Sequence, residues 1–385
     1  MKNKTTLLIF VGLLAAAVSS FAEDGTTENR PGQARNGKFL FDQETFGGNG
    51  RSCVTCHSKE TGTVSVDQIQ GRFAKDPDDT IFRSPDSDDL DGLSFTRLLT
   101  TGTIRIDVPL APNVKLVASP SATTATLFRG TPTVKNVTTL QQFLMSDGRE
   151  SNSDLPHQAS SAVHQHTQNT VEPTPEQLDR IAEFERTDER FFSSEALLKF
   201  AAGGPAPNLP RGKTPSERRG REFFNPNRQC GICHGGPMLD TSSEFDVLIA
   251  PGSRFHAAGA GLQLGHLDQA FDADGNFILE PTSPNKNQGF EFTLADGSTT
   301  VFVFPDPGRA LITGDPNDLL NFKIPTLWGI KDTAPYFQDN SARTLEAVLN
   351  HYNRLFQFIN DQIPDLLPLL TEQDQADIIA FLRIL

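Results

Sequence analysis

Two short stretches of this 385-residue chain decide its fold: CVTCH at 53–57 and CGICH at 230–234. Both follow the pattern C-x-x-C-H, in which two thiols form thioethers with a haem and the adjoining histidine binds the iron. A structural disulfide or a redox-active dithiol is the alternative for either pair. The two copies use all four cysteines of the chain, which favours two covalently bound haem c groups. The predicted attachment residues and proximal ligands are Cys53, Cys56, His57, Cys230, Cys233 and His234.

The N-terminal residues predict export. Residues 1–22 begin with two lysines, continue as an apolar run too short to span a bilayer, and end in the small-x-small cleavage pattern SFA at 20–22. No later segment is apolar enough for a membrane helix, so we expect a periplasmic protein without a membrane span. The formal charge is −14 and becomes more negative once the signal lysines are removed. This charge argues against nucleic acid as a partner.

The two halves of the chain repeat one order of elements. Each begins with a short helix before its haem motif, predicted at 33–41 and at 214–224. Each ends in a capped amphipathic helix, which begins after Thr174 in the first half and after Thr371 in the second. Helix, haem motif, irregular distal segment and closing helix form the plan of a cytochrome c. We therefore predict a mainly α fold with two cytochrome c-like haem domains.

The domain boundaries follow from composition. After the signal, residues 23–202 form the predicted N-terminal domain with the first haem motif, and residues 214–385 form the predicted C-terminal domain with the second. Residues 203–213 are rich in glycine and proline and predict a linker. Two insertions, at 58–128 and 255–304, are expected to carry small β-hairpins. The predicted strands are 104–109 and 299–304.

The sixth ligand of each iron decides whether a haem only carries electrons or also binds peroxide. In the stretch TLEAVLNHYN, residues 344–353, helical spacing places Tyr352 on the apolar face. No methionine is suitably placed, since Met238 lies only four residues after His234 on the proximal side. We predict that Tyr352 is the axial ligand of the second haem iron. Ligation by His351, an open site, or a phenol that is only buried are the alternatives.

The first haem is expected to have an open distal face. Alignment of the two halves places Ala162 where the second half has Tyr352, and alanine cannot bind iron. His164 and His166 follow within about one helical turn. A distal base that takes a proton from peroxide and returns it to the leaving oxygen assists O–O cleavage, and His166 is the preferred candidate for it. Solvated surface histidines, or direct ligation of the iron by one of them, are the alternatives.

These patterns resemble the bacterial diheme cytochrome c peroxidases and their relative MauG, which oxidises a protein substrate. The resemblance rests on both C-x-x-C-H motifs and on further stretches: GTPTVKN at 130–136, SDGR at 146–149 with Gln158-Ala159, FKIPTL at 322–327 and TAPYF at 333–337. It implies that the N-terminal haem reduces hydrogen peroxide. The electrons would enter at the C-terminal haem from a small cytochrome or copper protein.

The resemblance also assigns roles to single positions. The distal glutamine of the family matches Gln158, which adds this residue to the catalytic candidates His166 and His164. The catalytic glutamate of the family falls on Gln168, which cannot exchange a proton. Tyr352 matches the position that holds methionine in the peroxidases and tyrosine in MauG.

The family has a calcium ion between its domains. Thr333 and Pro335 match the carbonyl ligands of this ion, but the asparagine expected beside them is Gly130.

Three functions remain open. The leading one is a diheme peroxidase. A MauG-like oxidase that uses a tyrosine-ligated haem to oxidise an organic or protein substrate is the second. A diheme electron carrier without enzymatic activity is the third.

Overall fold

The computed structural model describes residues 36–244, 252–256, 285–362, 364 and 366–385. The predicted signal sequence, the first residues of the helix predicted at 33–41 and much of the second insertion lie outside the described residues. Among the described residues, no helix is long and apolar enough to cross a membrane.

The helices predicted from capping residues begin directly after those residues. The helix before the second haem motif begins after Thr214, whose side chain accepts a hydrogen bond from the backbone NH of Glu217, while the Glu217 carboxylate accepts one from the NH of Thr214. The helices of the first half are α1 Gly37–Asp42, α2 Val66–Lys75, α3 Thr96–Thr101, α4 Leu155–His166, α5 Pro175–Thr187 and α6 Glu195–Ala201. Those of the second half are α7 Pro215–Glu222, α8 Ala310–Thr313, α9 Leu345–Gln362 and α10 Glu372–Leu382.

The structure contains more β-strands than the two small hairpins predicted from the sequence. The strands are β1 Thr103–Pro109, β2 Val114–Leu116, β3 Thr124–Gly130, β4 Phe143–Leu144, β5 Glu150–Ser151, β6 Phe255–His256, β7 Gln288–Thr293, β8 Thr299–Phe304 and β9 Phe322–Lys323. Antiparallel pairing joins β1 to β3, β4 to β5 and β6 to β9. A three-stranded sheet has the order β2-β7-β8, so it combines strands from the two insertions.

This shared sheet corrects the predicted fold class. Helices are confirmed, but the architecture is mixed, because the two insertions form one β-rich unit with its own apolar core. Val108 and Leu127 from the first insertion pack there with Phe290 and Phe292 from the second. Apolar burial between segments far apart in the chain stabilises this unit, and local sequence patterns do not predict such pairing.

In each half, a glycine permits a close crossing of two helices. A Cβ atom on Gly37 would lie 2.1 Å from the carbonyl oxygen of Arg180, and one on Gly220 would lie 1.9 Å from that of Asp377. Only glycine lets two backbones approach so closely. The helix before each haem motif therefore crosses the closing helix of its own half: α1 crosses α5, and α7 crosses α10.

The largest apolar core surrounds both C-x-x-C-H motifs. In the first half Phe41, Phe184 and Phe191 pack edge to face, and in the second half Phe224 packs against Phe381. Residues of both halves belong to this one core. The segments predicted as two domains are therefore in direct contact. Residues 203–213 connect them without helix or strand.

Candidate functional site

Both C-x-x-C-H motifs present their histidine in the same way. The Nδ1 atom of His57 lies 2.9 Å from the carbonyl oxygen of Gly62, and that of His234 lies 2.7 Å from that of Leu239. A carbonyl oxygen only accepts hydrogen bonds, so Nδ1 carries the proton and Nε2 keeps its lone pair. Burial lowers the pKa of both histidines, which favours the neutral form. A fixed, neutral imidazole with a free Nε2 is the form that binds a metal.

The cysteines do not have the character of a redox dithiol. They are not bonded to one another. Burial raises the pKa of Cys53 and of Cys230 to about 12, whereas a catalytic dithiol has a thiol of lowered pKa. These side chains fit thioether attachment of a haem, which leaves no titratable thiol.

A cavity beside the first motif collects the predicted site residues of the first half. It is lined by Cys53, Cys56 and His57 and by several residues of α4, among them the three predicted positions Gln158, Ala162 and His166. The three α4 residues are four positions apart, so they lie on one face of the helix. The structure therefore brings the predicted proximal histidine, the glutamine, the small residue and the preferred distal base to one space.

His166 lies at the C-terminal end of α4. Burial lowers the pKa of His166 to about 4, and Arg51, Arg149 and His57 act in the same direction, while Asp86 opposes them. The imidazole is therefore neutral at neutral pH and can accept a proton. Asn49 and Arg51 donate hydrogen bonds to the backbone carbonyl of His166, at 3.1 and 3.5 Å, and these contacts hold the end of the helix.

Two other positions lie away from the cavity. His164 points outward and pairs with Glu172, with Nε2 and the carboxylate oxygen 2.8 Å apart. Hydrogen bonding to the Ser160 carbonyl and to Glu172 raises the pKa of His164. Gln168, the position that matches the glutamate of the family, is exposed and accepts a hydrogen bond from Asn49. Of the two histidines proposed as bases, only His166 reaches the cavity.

The cavity also has basic groups that the motifs do not predict. Arg129 lines it and forms buried ion pairs with Asp147 and Asp306, both with oxygens at 2.7 Å. Lys323, from the strand of the FKIPTL stretch, also lines the cavity, and burial lowers its pKa to about 8. Arg149 is a third such residue. An apolar space with two thiols, an imidazole and cationic groups on its walls suits a haem, which is apolar but carries propionates.

Two further residues of the cavity were not singled out from the sequence. Met145, next to the aspartate turn, lines it, and so does Glu185 of α5. Glu185 could have been found by its position, because it lies four positions after Ile181 on the buried face of a capped helix. Met145 offered no such local signal.

The second motif lies beside α9. Tyr352 projects from that helix into the apolar core, with its ring centroid 6.2 Å from that of Phe356 and 6.3 Å from that of Phe337. Burial raises the pKa of Tyr352, and the charges of Cys233 and Cys230 add to the effect. Tyr352 and Cys230 of the second thiol pair pack against the same apolar core. His351 is also buried, against Phe337 at 4.6 Å between ring centroids.

The region of the expected calcium ion joins the two halves. The backbone NH of Gly130 donates to the carbonyl of Gln338 at 2.8 Å. The side chain of Asn340 occupies the space beside Gly130, since a Cβ atom there would lie 2.0 Å from its Oδ1 atom. The Thr333 hydroxyl donates to the Ile330 carbonyl. Within the described residues, three or more His, Cys, Asp or Glu side chains nowhere form a metal-binding group, so calcium binding at Thr333 and Pro335 stays a prediction.

Comparison with known proteins gives a partial match. A protein named cytochrome-c peroxidase IdrP1 from Denitromonas iodatirespirans is 30% identical over 169 residues, and one of the same name from Pseudomonas sp. (strain SCT) is 26% identical over 171 residues. The resemblance to cytochrome c peroxidases is confirmed. Each match covers 44% of this chain, but only 39% and 40% of these two relatives, respectively. No protein-family model matches the chain.

Two solved structures are similar over 92% of this chain and 88% of their own. One is a MauG-like protein associated with microbial copper homeostasis, with a TM-score of 0.49 and 19% identity. The other is hydrazine synthase from Kuenenia stuttgartiensis, with a TM-score of 0.41 and 14% identity. Both TM-scores lie below 0.5, which is too low to establish a common architecture.

Proposed function

We propose that this protein is a periplasmic diheme c-type peroxidase that reduces hydrogen peroxide with electrons from a small redox protein. The observation that carries the proposal is the cavity of the first half, where His57 and both thiols share one space with Gln158, Ala162 and His166. A haem attached to Cys53 and Cys56 would supply an iron that binds peroxide and accepts electrons.

Three residues of α4 would then have separate roles in binding and cleaving peroxide. Ala162 leaves room for peroxide, because its side chain is short and has no ligand atom. His166 is neutral, so it can take a proton from one peroxide oxygen and return it to the other as the O–O bond breaks. Gln158 offers an amide that can orient the bound peroxide by hydrogen bonding. Two electrons and two protons convert each peroxide to two waters.

A second haem, attached to Cys230 and Cys233 and bound by His234, would receive the electrons. Tyr352 is its proposed sixth ligand. The net negative charge of the chain favours a donor with a basic surface, such as a small cytochrome or copper protein.

Steady-state oxidation of a reduced small cytochrome by peroxide tests this function. The haem-loaded protein should turn over well above free haem, and the resting ferric protein should contain one high-spin iron. Turnover no faster than free haem would reject the peroxidase function. Two low-spin irons would instead favour the electron carrier, with Met145 of the cavity as a thioether ligand of the first iron.

A MauG-like oxidase is the second candidate, and Tyr352, which packs against the same apolar core as Cys230, favours it. An anionic oxygen ligand stabilises higher oxidation states of iron, whereas methionine raises the reduction potential. Treatment with peroxide in the absence of a donor distinguishes the two functions. A long-lived oxidised state that decays on addition of an organic or protein substrate supports the oxidase, and immediate return to the resting spectrum opposes it.

A further inference from the structure

Glu185 is a buried acid without a cation at its side. Its residue is only 4% exposed, it lines the first cavity, and its Oε2 atom has no hydrogen-bond partner. Burial raises the pKa of Glu185 to about 8, and only the charge of Arg186 opposes this. An isolated carboxylate in an apolar place costs several kcal/mol relative to an apolar side chain, or else it is protonated. Packing alone would not favour glutamate here.

The second half provides a direct comparison. Alignment of the capping residues Thr174 and Thr371 matches Phe184 of α5 with Phe381 of α10, and therefore Glu185 with Leu382. Leu382 is buried in the main core. The same position on the closing helix is thus apolar beside one C-x-x-C-H motif and acidic beside the other.

The charged and titratable groups around Glu185 determine how its carboxyl group titrates. Its charge acts on the thiol of Cys53, where it raises the pKa. On α1, which crosses α5, Asp42 is already paired with Lys38 and Arg190. The other charged or titratable groups of the cavity are Arg51, Cys56, His57, Arg129, Arg149, Glu150, His166 and Lys323. Glu185 lines the cavity from α5, whereas His166 lines it from α4.

We propose that Glu185 is the proton-exchanging acid of the first haem cavity, which binds one proton when the haem gains an electron and releases it when the electron leaves. This rests on the proposed function, because it needs a haem at Cys53 and Cys56 and an electron from the redox partner. The electron makes the site more negative, and the carboxylate takes a proton from solvent to form the neutral acid. The added proton compensates the charge of the added electron, which matters in a poorly solvated space because charges interact strongly there.

Reduction potentials measured as a function of pH test the proposal in the haem-loaded, full-length protein. One of the two potentials should fall as pH rises through neutral and mildly alkaline values, and this slope should disappear in Glu185→Gln. Glu185→Leu introduces the side chain that Leu382 has at the matching position of the second half, and it should also abolish the slope. This second variant keeps the test valid if Glu185→Gln fails to fold. Glu183→Gln is the matched control, since Glu183 is exposed on the same helix and pairs with Arg180.

Redox-difference infrared spectra give a second readout. At mildly alkaline pH, where Glu185 starts as the carboxylate, a carboxylic-acid C=O band should appear on reduction of the wild type and be missing in both Glu185 variants. A pH slope and a band that persist in these variants would overturn the proposal, even if peroxide turnover is normal. Loss of both signals supports it, even in a protein that does not turn over peroxide, in which case the peroxidase function fails separately.

Discussion

The two C-x-x-C-H motifs have the same local geometry but different surroundings. In both, the histidine Nδ1 is held by a carbonyl five residues later, and a glycine lets the preceding helix cross the closing helix. Beyond these shared parts the first motif faces a cavity with Ala162, His166 and Glu185, whereas the second faces Tyr352 and Leu382. The shared geometry of the motifs fits haem attachment. The different side chains around them would give the two haems separate roles.

Replacement of the thiols should have the largest effect. With Cys53 and Cys56 both changed to Ser, the chain should retain one covalent haem and lose peroxide turnover completely. The same change at Cys230 and Cys233 should also leave one haem, but the first site should still bind peroxide. Haem-to-protein stoichiometry and spectra with peroxide measure both. If the first double variant keeps two covalent haems, the assignment of the motifs is wrong.

The two histidines of α4 give the next largest contrast. His166→Gln should slow the reaction with peroxide by about 10²–10⁴-fold, the usual contribution of a general acid–base. His164→Gln should have almost no effect, because that side chain lies outside the cavity and pairs with Glu172. Stopped-flow rates at neutral pH distinguish them.

The pH dependence sharpens the same contrast. Since the pKa of His166 is lowered to about 4, the wild-type rate should stay constant as pH falls through neutral and decline only near that value. A decline near the ordinary pKa of histidine would assign the base to another group. Equal losses in His166→Gln and His164→Gln would also reject His166 as the base.

The sequence predicted features that depend on local spacing. The C-x-x-C-H motifs, the capping boxes at Thr214 and Thr371 and the strand at 299–304 are each determined by residues within a few positions of one another. Of the distal residues of α4, Ala162 was found by alignment of the two halves and His166 by its place four positions later on the helix. Gln158 was found by the resemblance to the family. Their place in one cavity with His57 agrees with that expectation, while their catalytic roles stay predictions.

Features that depend on distant segments were not predicted. Lys323 and Arg129 meet at the first cavity although they are far apart in the chain, and β2 pairs with β7 across the two insertions. No local pattern encodes these approaches, because they result from burial of apolar surface between segments. Likewise, helical periodicity could not show that Phe337 covers His351.

Removal of the Tyr352 hydroxyl should change only one haem. Tyr352→Phe should alter the ferric EPR signal of one iron and raise its reduction potential, since an oxygen ligand is lost. The signal of the other haem should be unchanged. His351→Gln is the matched variant on the neighbouring position of α9. If it alone changes the EPR signal, histidine is the ligand, and if neither variant changes it, the phenol contributes only packing.

The smallest effect expected is on stability, and it tests whether the two halves are built alike. Gly37→Ala and Gly220→Ala each place a Cβ atom about 2 Å from a backbone oxygen of the crossing helix, so each should lower the free energy of unfolding by about 1–3 kcal/mol. Gly71→Ala is the control, because nothing lies within 4 Å of its Cβ position inside α2. It should stabilise the protein by up to about 1 kcal/mol, because alanine favours helix more than glycine does. Denaturant unfolding measures all three variants. If Gly37→Ala lowers the free energy of unfolding and Gly220→Ala does not, α7 and α10 can move apart without cost. The two halves would then differ in their helix packing as well as in the surroundings of their haems.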